Sequence, residues 1–513
     1  MNMSDYVGNV YEHLVEWDKV NRKEQDSADV SPTNKAENSE GNSGKNNVLA
    51  IRPADTTPAQ KDTAFSWDDV DWVYRDPWGR LKISPQLLAM YLLSDENENR
   101  IIPVRKAGGT TSIFVYQNGL YREMQKNELR GFVKGYMPRE YRTAKNMDDV
   151  YNELITEPCS VTLDDLDSDE DIINFENGLL HLSTNELTEH TPDVLSTIRI
   201  PCRYRPELTL DNAPVFSKFL DTLTSGDNVD ATFILQFIGA ILSNVPGYRY
   251  KKLLVLYGPG NTGKSQLRQL VTWLVGAQNC HSIDLSNIGR RFGTGQLYGK
   301  RLVGSGDMSF AKISEIATLK ELTGGDDLNA EFKGKDAFTF RYKGFLWFNC
   351  NELPHFAGDR GQHVYDRFCI VCCGNVIPPE KQDHGLLEKM KGEAEAIVSV
   401  SIKNFIDTVK AGYKFTESET MACIRDQYAE QNSSVIEFVK ECCELDGRTK
   451  RSDFVRFYKA WCRENGLYAE SYKNISKTLS EVFKITPMKS NEVYYPLTVK
   501  MEFIPDSWQW RGR

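Results

Sequence analysis

Nothing in this chain of 513 residues is long and apolar enough to span a bilayer. No run approaches the ~20 apolar residues a membrane helix needs, and no N-terminal stretch resembles a signal peptide. Paired cysteine spacing of the zinc type is also missing, although there are eleven cysteines. Several fall in apolar segments such as Cys369-Ile370-Val371-Cys372-Cys373, which reads as a buried strand, and that usage suits a reducing cytosol. A positive excess is lacking too. The formal net charge of -10 argues against a protein that coats nucleic acid over its whole surface, while leaving room for a local basic channel. These absences predict a soluble, cytoplasmic protein with no membrane partner. The length predicts about two to four domains, and a hydrophobic content of 40% can bury a large core.

What is present is led by Gly258-Pro259-Gly260-Asn261-Thr262-Gly263-Lys264-Ser265, which fits the phosphate-binding loop G-x-x-x-x-G-K-[ST]. Leu253 to Tyr257 before it reads as a buried strand. Leu267, Leu270, Val271, Leu274 and Val275 after it fall at helical spacing, with Gly276 as a stop. Backbone N–H groups of such a loop converge on phosphates, and the helix N-terminus adds positive potential. Lys264 would reach the β- and γ-phosphates of ATP, and the Ser265 hydroxyl would hold Mg²⁺. A chance match in a glycine-rich loop is the competing reading, and the flanking strand and helix oppose it.

The rest of the chain divides into segments of different character. Residues 1–64 read as a disordered tail, with a short amphipathic stretch at 4–18 that is either a docking peptide or a frayed end. Residues 65–205 read as an α+β domain, with helices near 85–94 and 127–136 and hairpin turns at Asn118-Gly119 and Asn177-Gly178. Its acidic stretch from Asp164 to Asp171 reads as a solvated loop rather than a metal site. Residues 206–250 read as a helical collar, 251–430 as the nucleotide-binding core, and 431–513 as a winged helix. In that tail, Ser434-Val435-Ile436-Glu437 is a capping box. Phe454, Phe457, Tyr458 and Trp461 mark a second helix, and Ile475, Leu479, Val482 and Phe483 a third. Two strand-like runs flank Ser490-Asn491.

Elements downstream of the loop choose among phosphate-loop enzymes. Gly299-Lys300-Arg301-Leu302-Val303 leads through Gly304-Ser305-Gly306 to Asp307, an acid at a strand end that can orient Mg²⁺ through water. Leu322-Thr323-Gly324-Gly325-Asp326 follows, then a tight turn holding Lys333 and Lys335. The strand Phe345 to Phe348 closes on Asn349-Cys350-Asn351-Glu352-Leu353-Pro354, and Asp366-Arg367-Phe368 comes last. In this order and spacing the chain resembles superfamily 3 helicases, specifically the helicase half of phage and plasmid primase-helicases of the poxvirus-related type. The resemblance covers about 170–500 and is strongest over 250–375. Phe175-Glu176-Asn177-Gly178-Leu179-Leu180 also resembles that family's lead-in domain.

The resemblance implies an AAA+-like P-loop NTPase core in a multidomain α/β protein and assigns roles. Asp307 stands where the family has its Walker B acid. A single acid here, instead of the doubled acid of many relatives, leaves open whether Asp307 is the only catalytic one. Asn351 matches the polar sensor of the γ-phosphate, or else is an ordinary turn residue. Arg367 matches an arginine finger given to the neighbouring subunit's ATP, with Arg360 as runner-up and a surface pair with Asp366 or Asp359 as the bland alternative. A finger in trans is worth ~10³–10⁵ in rate in comparable NTPases. Lys333 and Lys335 match the hairpin that tracks single-stranded DNA, or else a solvated turn. The family implies a homo-oligomer, typically a hexamer, and 3′ to 5′ travel.

The tail adds its own signal. Residues 447–500 carry eleven basic side chains against five acidic ones in a chain that is negative overall. Lys473 and Lys477 lie off the apolar face of the third tail helix, as expected of DNA binding, although winged helices also contact proteins. The combined expectation is an ATP-dependent, ring-forming helicase on single-stranded and forked DNA in the replication of a phage, plasmid or mobile element. An origin-binding initiator that melts DNA without travelling is the alternative, and a small-molecule kinase a distant third. Residues 65–205 show no Asp-x-Asp or Asp-x-Glu pair placed on a strand and joined by a downstream His, so the chain reads as a helicase without primer synthesis, which leaves room for a separate primase or replication protein as a partner.

Overall fold

In a computed structural model of the chain, residues 67–503 are described except 98, 159–160, 307–315, 335, 355–361, 468 and 490. The stretch at 4–18, Asp307, Lys335, Asp359 and Arg360 therefore lie outside the described residues. The chain is a mixed α/β protein with several hydrophobic cores. Among the described residues no helix is long and apolar enough to cross a membrane.

The chain separates into two compact units at places other than the expected block of 65–205. One holds residues 67–101 with Met124–Pro158; the other holds Ile102–Glu123 and everything from Cys159 onward. The first is mostly helical. Ser84 caps the helix Pro85–Leu93, its hydroxyl accepting from Leu87 N at 3.3 Å, with proline in the first turn. Helices Lys126–Val133 and Ala144–Thr156 follow, tied by Arg130 to Asp148 at 2.5 Å. The helix Ala144–Thr156 falls in a stretch the sequence left unassigned.

In the second unit, Asn118 and Gly119 both take positive φ (51° and 81°), the backbone of a tight hairpin turn. They join strands Thr111–Gln117 and Leu120–Met124. Asn177-Gly178 likewise joins Ile172–Phe175 to Gly178–His181.

The expected collar of 206–250 shares one core with the segment that follows it. Helix α1 (Asn228–Leu242) is apolar on almost every side and therefore buried. A Cβ on its Gly239 would stand 2.4 Å from Ser401 O, so two helices meet almost backbone to backbone there. Phe237 packs against Phe345, Trp347 and Phe415 with ring centroids 5.4–6.2 Å apart.

The central sheet is formed by β1 (Leu253–Tyr257), β2 (Cys280–Ser282), β3 (Leu302–Gly304), β4 (Phe345–Cys350) and β5 (Phe368–Cys372) in the order β2-β3-β4-β1-β5. Every pairing is parallel. Both faces are covered, which is why β1, β4 and β5 read as unbroken apolar runs. Helix α2 (Lys264–Val275) follows β1. Helix α3 (Ala394–Lys410) carries Ser401 and packs on α1.

Three tail helices, Ser434–Cys442, Arg451–Glu464 and Tyr472–Glu481, enclose a separate core around Phe438, Phe454, Tyr458, Ile475 and Leu479. A small sheet joins Thr449–Lys450, Met488–Lys489 and Val493–Tyr495. Two details differ from expectation. The helix cap is Ser433, and the Glu470 carboxylate, from a distant loop, accepts from the Ser433 and Ser434 hydroxyls at 2.7 and 3.4 Å. Val482 lies beyond the third helix and is 38% exposed, so it does not extend the buried stripe.

Candidate functional site

The glycine loop leaves the C-terminal end of β1, the strand hydrogen-bonded on both sides and so fixed in mid-sheet. Gly258 has φ +145°, and a Cβ there would stand 2.2 Å from Cys373 O. Gly263 has φ +96°, and its Cβ would stand 2.7 Å from the Phe219 ring. Both positions need glycine for backbone conformation and for space. Gly260 has no heavy atom within 4 Å of a Cβ position, so the rim of the loop is bare backbone. Asn261 is left-handed (φ 62°), a conformation asparagine tolerates. The loop is pinned on both sides, Gly258 N donating to Cys350 O at 3.1 Å and Ile377 N to Asn261 O at 2.9 Å. Thr262 Oγ1 donates to Pro259 O at 3.3 Å.

Lys264 opens α2 and folds over the loop. Its ammonium lies 2.6 Å from Gly258 O, 2.6 Å from Pro259 O and 3.5 Å from Asn351 Oδ1. Asn351 follows β4, the neighbour of β1, which explains how a residue 87 positions away reaches the lysine. Ser265 is exposed at the first turn of α2. A bare-backbone rim, a helix N-terminus and a converging ammonium fit a phosphate group.

Of the sequence-derived residues, the loop from Gly258 to Gly263, Lys264, Ser265 and Asn351 thus come together. Ser305, just past β3, runs alongside β4, because Asn349 N donates to Ser305 O at 3.0 Å.

Arg367 lies elsewhere. Its carbonyl accepts from Leu253 N at 2.8 Å, at the start of β1, whereas the loop begins after Tyr257. Five strand residues at ~3.3 Å each put it about 16 Å from its own glycine loop. Its guanidinium donates to Thr323 Oγ1 at 2.7 Å, its Nε is buried with no hydrogen-bond partner among the described residues, and burial holds its pKa below the ordinary arginine value. Lys333 is exposed at the tip of the hairpin Asp327–Ala330 and Phe338–Arg341, next to Gly334 at φ +77°. Stacked Phe332 and Phe338 (5.1 Å) and the Arg291–Glu331 pair (3.1 Å) brace that hairpin. Lys473 and Lys477 are exposed on the third tail helix, and Lys477 lies 3.8 Å from Glu481.

The acidic stretch departs from a simple solvated loop. Asp167 accepts from Thr197 N at 2.7 Å, and burial raises its pKa despite that bond. Asp171 accepts from Ser183 N at 2.7 Å, and Glu170 pairs with Arg249 at 2.7 Å. Those partners come from distant turns, which alternation of polar residues does not reveal. Among the described residues no cluster of His, Cys, Asp or Glu could hold a metal ion.

Two buried arginines also escaped sequence reading. Arg301 donates to Ala240 O, Ile241 O, Val245 O and Lys343 O at 2.7–3.0 Å, capping the C-terminus of α1, and burial lowers its pKa to about 10. Arg268, one turn after Lys264, donates to Trp347 O at 2.6 Å and Gly304 O at 2.8 Å. A cation inside the apolar stripe of α2 was the available signal.

Residues 92–225 match a family model described as D5 N terminal like, and residues 256–383 match a family of unknown function, DUF5906. Domains of these two kinds are typical of phage and plasmid primase-helicase proteins. Over 121 residues the chain is 28% identical to the uncharacterized mitochondrial protein ymf21 of Marchantia polymorpha. That stretch is 22% of this chain and 66% of that protein, just under two thirds of its length. Among solved structures, the A form apo structure of the NrS-1 C terminal region is 14% identical, with a TM-score of 0.42, covering 82% of this chain and 99% of that one. An apo structure of the same region (305–718) gives 14% and 0.41 over 81% and 99%.

Proposed function

We propose that the chain is an ATP-dependent, ring-forming DNA helicase serving replication of a phage, plasmid or mobile element. The observation that carries this reading is the glycine cradle with Lys264 held over it beside Asn351, on a parallel sheet covered on both faces. The P-loop NTPase core would hold ATP at Gly258 to Ser265. Lys264 would exchange its loop carbonyls for phosphate oxygens, Ser265 and Asp307 would hold Mg²⁺, and Asn351 would orient the γ-phosphate or attacking water. Bound Mg²⁺ would supply charge neutralisation across the phosphates.

Arg367 sits too far from its own loop to serve it, which favours a finger offered to a neighbouring copy. A hexamer is the assembly the resemblance implies. The exposed Lys333 tip and the lysines of the tail supply phosphate contacts that read no base. Purified protein should hydrolyse ATP faster with single-stranded DNA, and Lys264→Ala should abolish hydrolysis. An intact protein whose ATPase ignores DNA would count against the helicase. Strand separation on an unrelated fork distinguishes this reading from an initiator, which would instead footprint one cognate origin.

A further inference from the structure

Arg268 has a cost that packing does not explain. The helix α2 buries Leu267, Leu270, Val271 and Leu274 in the main core, and an aliphatic side chain at position 268 would join them without desolvating a cation. The guanidinium instead spans two strands. Nη1 donates to Trp347 O of β4 and Nη2 to Gly304 O of β3. Its planar fork suits two carbonyls at once, which a lysine ammonium cannot match in geometry. The two acceptors are close because Gly304, at φ +145°, has no Cβ; one would stand 1.9 Å from Trp347 O.

The same three elements continue to the site. Along α2, Lys264 lies one turn before Arg268 and touches Asn351. Along β4, the Trp347 indole N–H donates to Asn349 Oδ1 at 2.9 Å, and Asn349 N donates to Ser305 O at 3.0 Å. Ser305 lies two residues before Asp307. A Cβ on Gly306 would be 3.9 Å from Arg268 Cδ, so the guanidinium stem also flanks the chain leading to the acid. Asn349 is fully buried and its Nδ2 has no partner among the described residues.

We infer that Arg268 is a positioning residue for hydrolysis: it locks the phosphate-loop helix to the ends of β3 and β4, the strand that Asn351 follows, setting the distance between bound phosphate and the groups that act on it. This rests on the ATPase reading above. An error of ~1 Å in such a site costs on the order of 10²-fold in rate, with little effect on groups that only bind.

The test compares wild type, Lys264→Ala, Arg268→Met and Arg268→Lys as full chains. ATPase rates are measured alongside affinity for a fluorescent ATP analogue and the thermal midpoint. Arg268→Met should keep its analogue affinity within about threefold while kcat falls ~10- to 100-fold. Arg268→Lys, able to bridge one carbonyl, should lie between the two. Equal kcat in wild type and Arg268→Met would overturn the inference and leave the ATPase reading standing. Loss of analogue affinity in step with the midpoint would also overturn it, since that marks a merely structural arginine. If Arg268→Met does not fold, the Lys variant decides: kcat lowered at unchanged affinity supports the inference, and unchanged kcat overturns it. Wild type that hydrolyses no ATP retires both.

Discussion

Asp230 offers the most direct check of how this core handles charge. It lies in the first turn of α1, is 2% exposed, and accepts a hydrogen bond from the Ser418 hydroxyl at 2.6 Å. Burial raises its pKa from 3.8 to about 6; the Asp227 carboxylate pushes the same way, and the Ser418 bond only partly opposes them. A rise of that size corresponds to about 3 kcal/mol as an upper bound, and a relaxed interior reduces it to roughly 1–2 kcal/mol.

The direction follows from proton counting. Between pH 3.8 and about 6 the folded chain binds more protons at this carboxyl than the unfolded chain does. Stability from this group therefore falls as pH rises through that window, and the full penalty is present above it. Asp230→Asn keeps an oxygen to accept from Ser418 and removes the charge. The variant should melt above wild type at pH 7.5 by about 2–4 °C, a difference that shrinks as pH falls through 6 and vanishes only below pH 3.8. Scanning fluorimetry from pH 4.5 to 8.0 reads the difference directly. A difference that does not change with pH, or a variant less stable throughout, would show that Asp230 carries no such penalty.

Arg301→Met strips donors from three buried carbonyls and one half-buried one and should cost about 3–5 kcal/mol in urea unfolding, since the guanidinium caps the C-terminus of α1. Arg367→Ala should bind ATP normally and hydrolyse it at least ~10³-fold more slowly. Mixing it with Lys264→Ala protein should restore part of the activity, and no recovery would speak against a finger offered in trans. Lys333→Glu should lose unwinding while retaining ATPase without DNA, and its single-strand affinity should depend less steeply on salt, by about one unit of slope.

The glycine loop was legible because its conformation is local: residues 258–263 need glycine at the left-handed or crowded positions, and a buried strand and an amphipathic helix bracket them. The hairpins at Asn118-Gly119 and Asn177-Gly178 were readable for the same reason, since turn chemistry is set within a few residues. The tail helices followed from their apolar period. Asn351 was legible only through motif order, because its nearness to Lys264 depends on β4 lying beside β1 in the sheet.

The glycine loop's conformation, the apolar strands and the balance of charge along the chain were readable from the residues alone, because each depends on neighbours in the chain or on composition. Tertiary structure decided the rest. It merged residues 206–250 with the core of the parallel sheet through Gly239 and Phe237. It placed Arg367 at the far end of β1, and turned Asp167, half-buried, and Arg268 and Arg301, both buried, from surface-type residues into ties. A charged side chain is buried only where a distant backbone supplies its partners, and strand order and helix packing fix where that backbone runs.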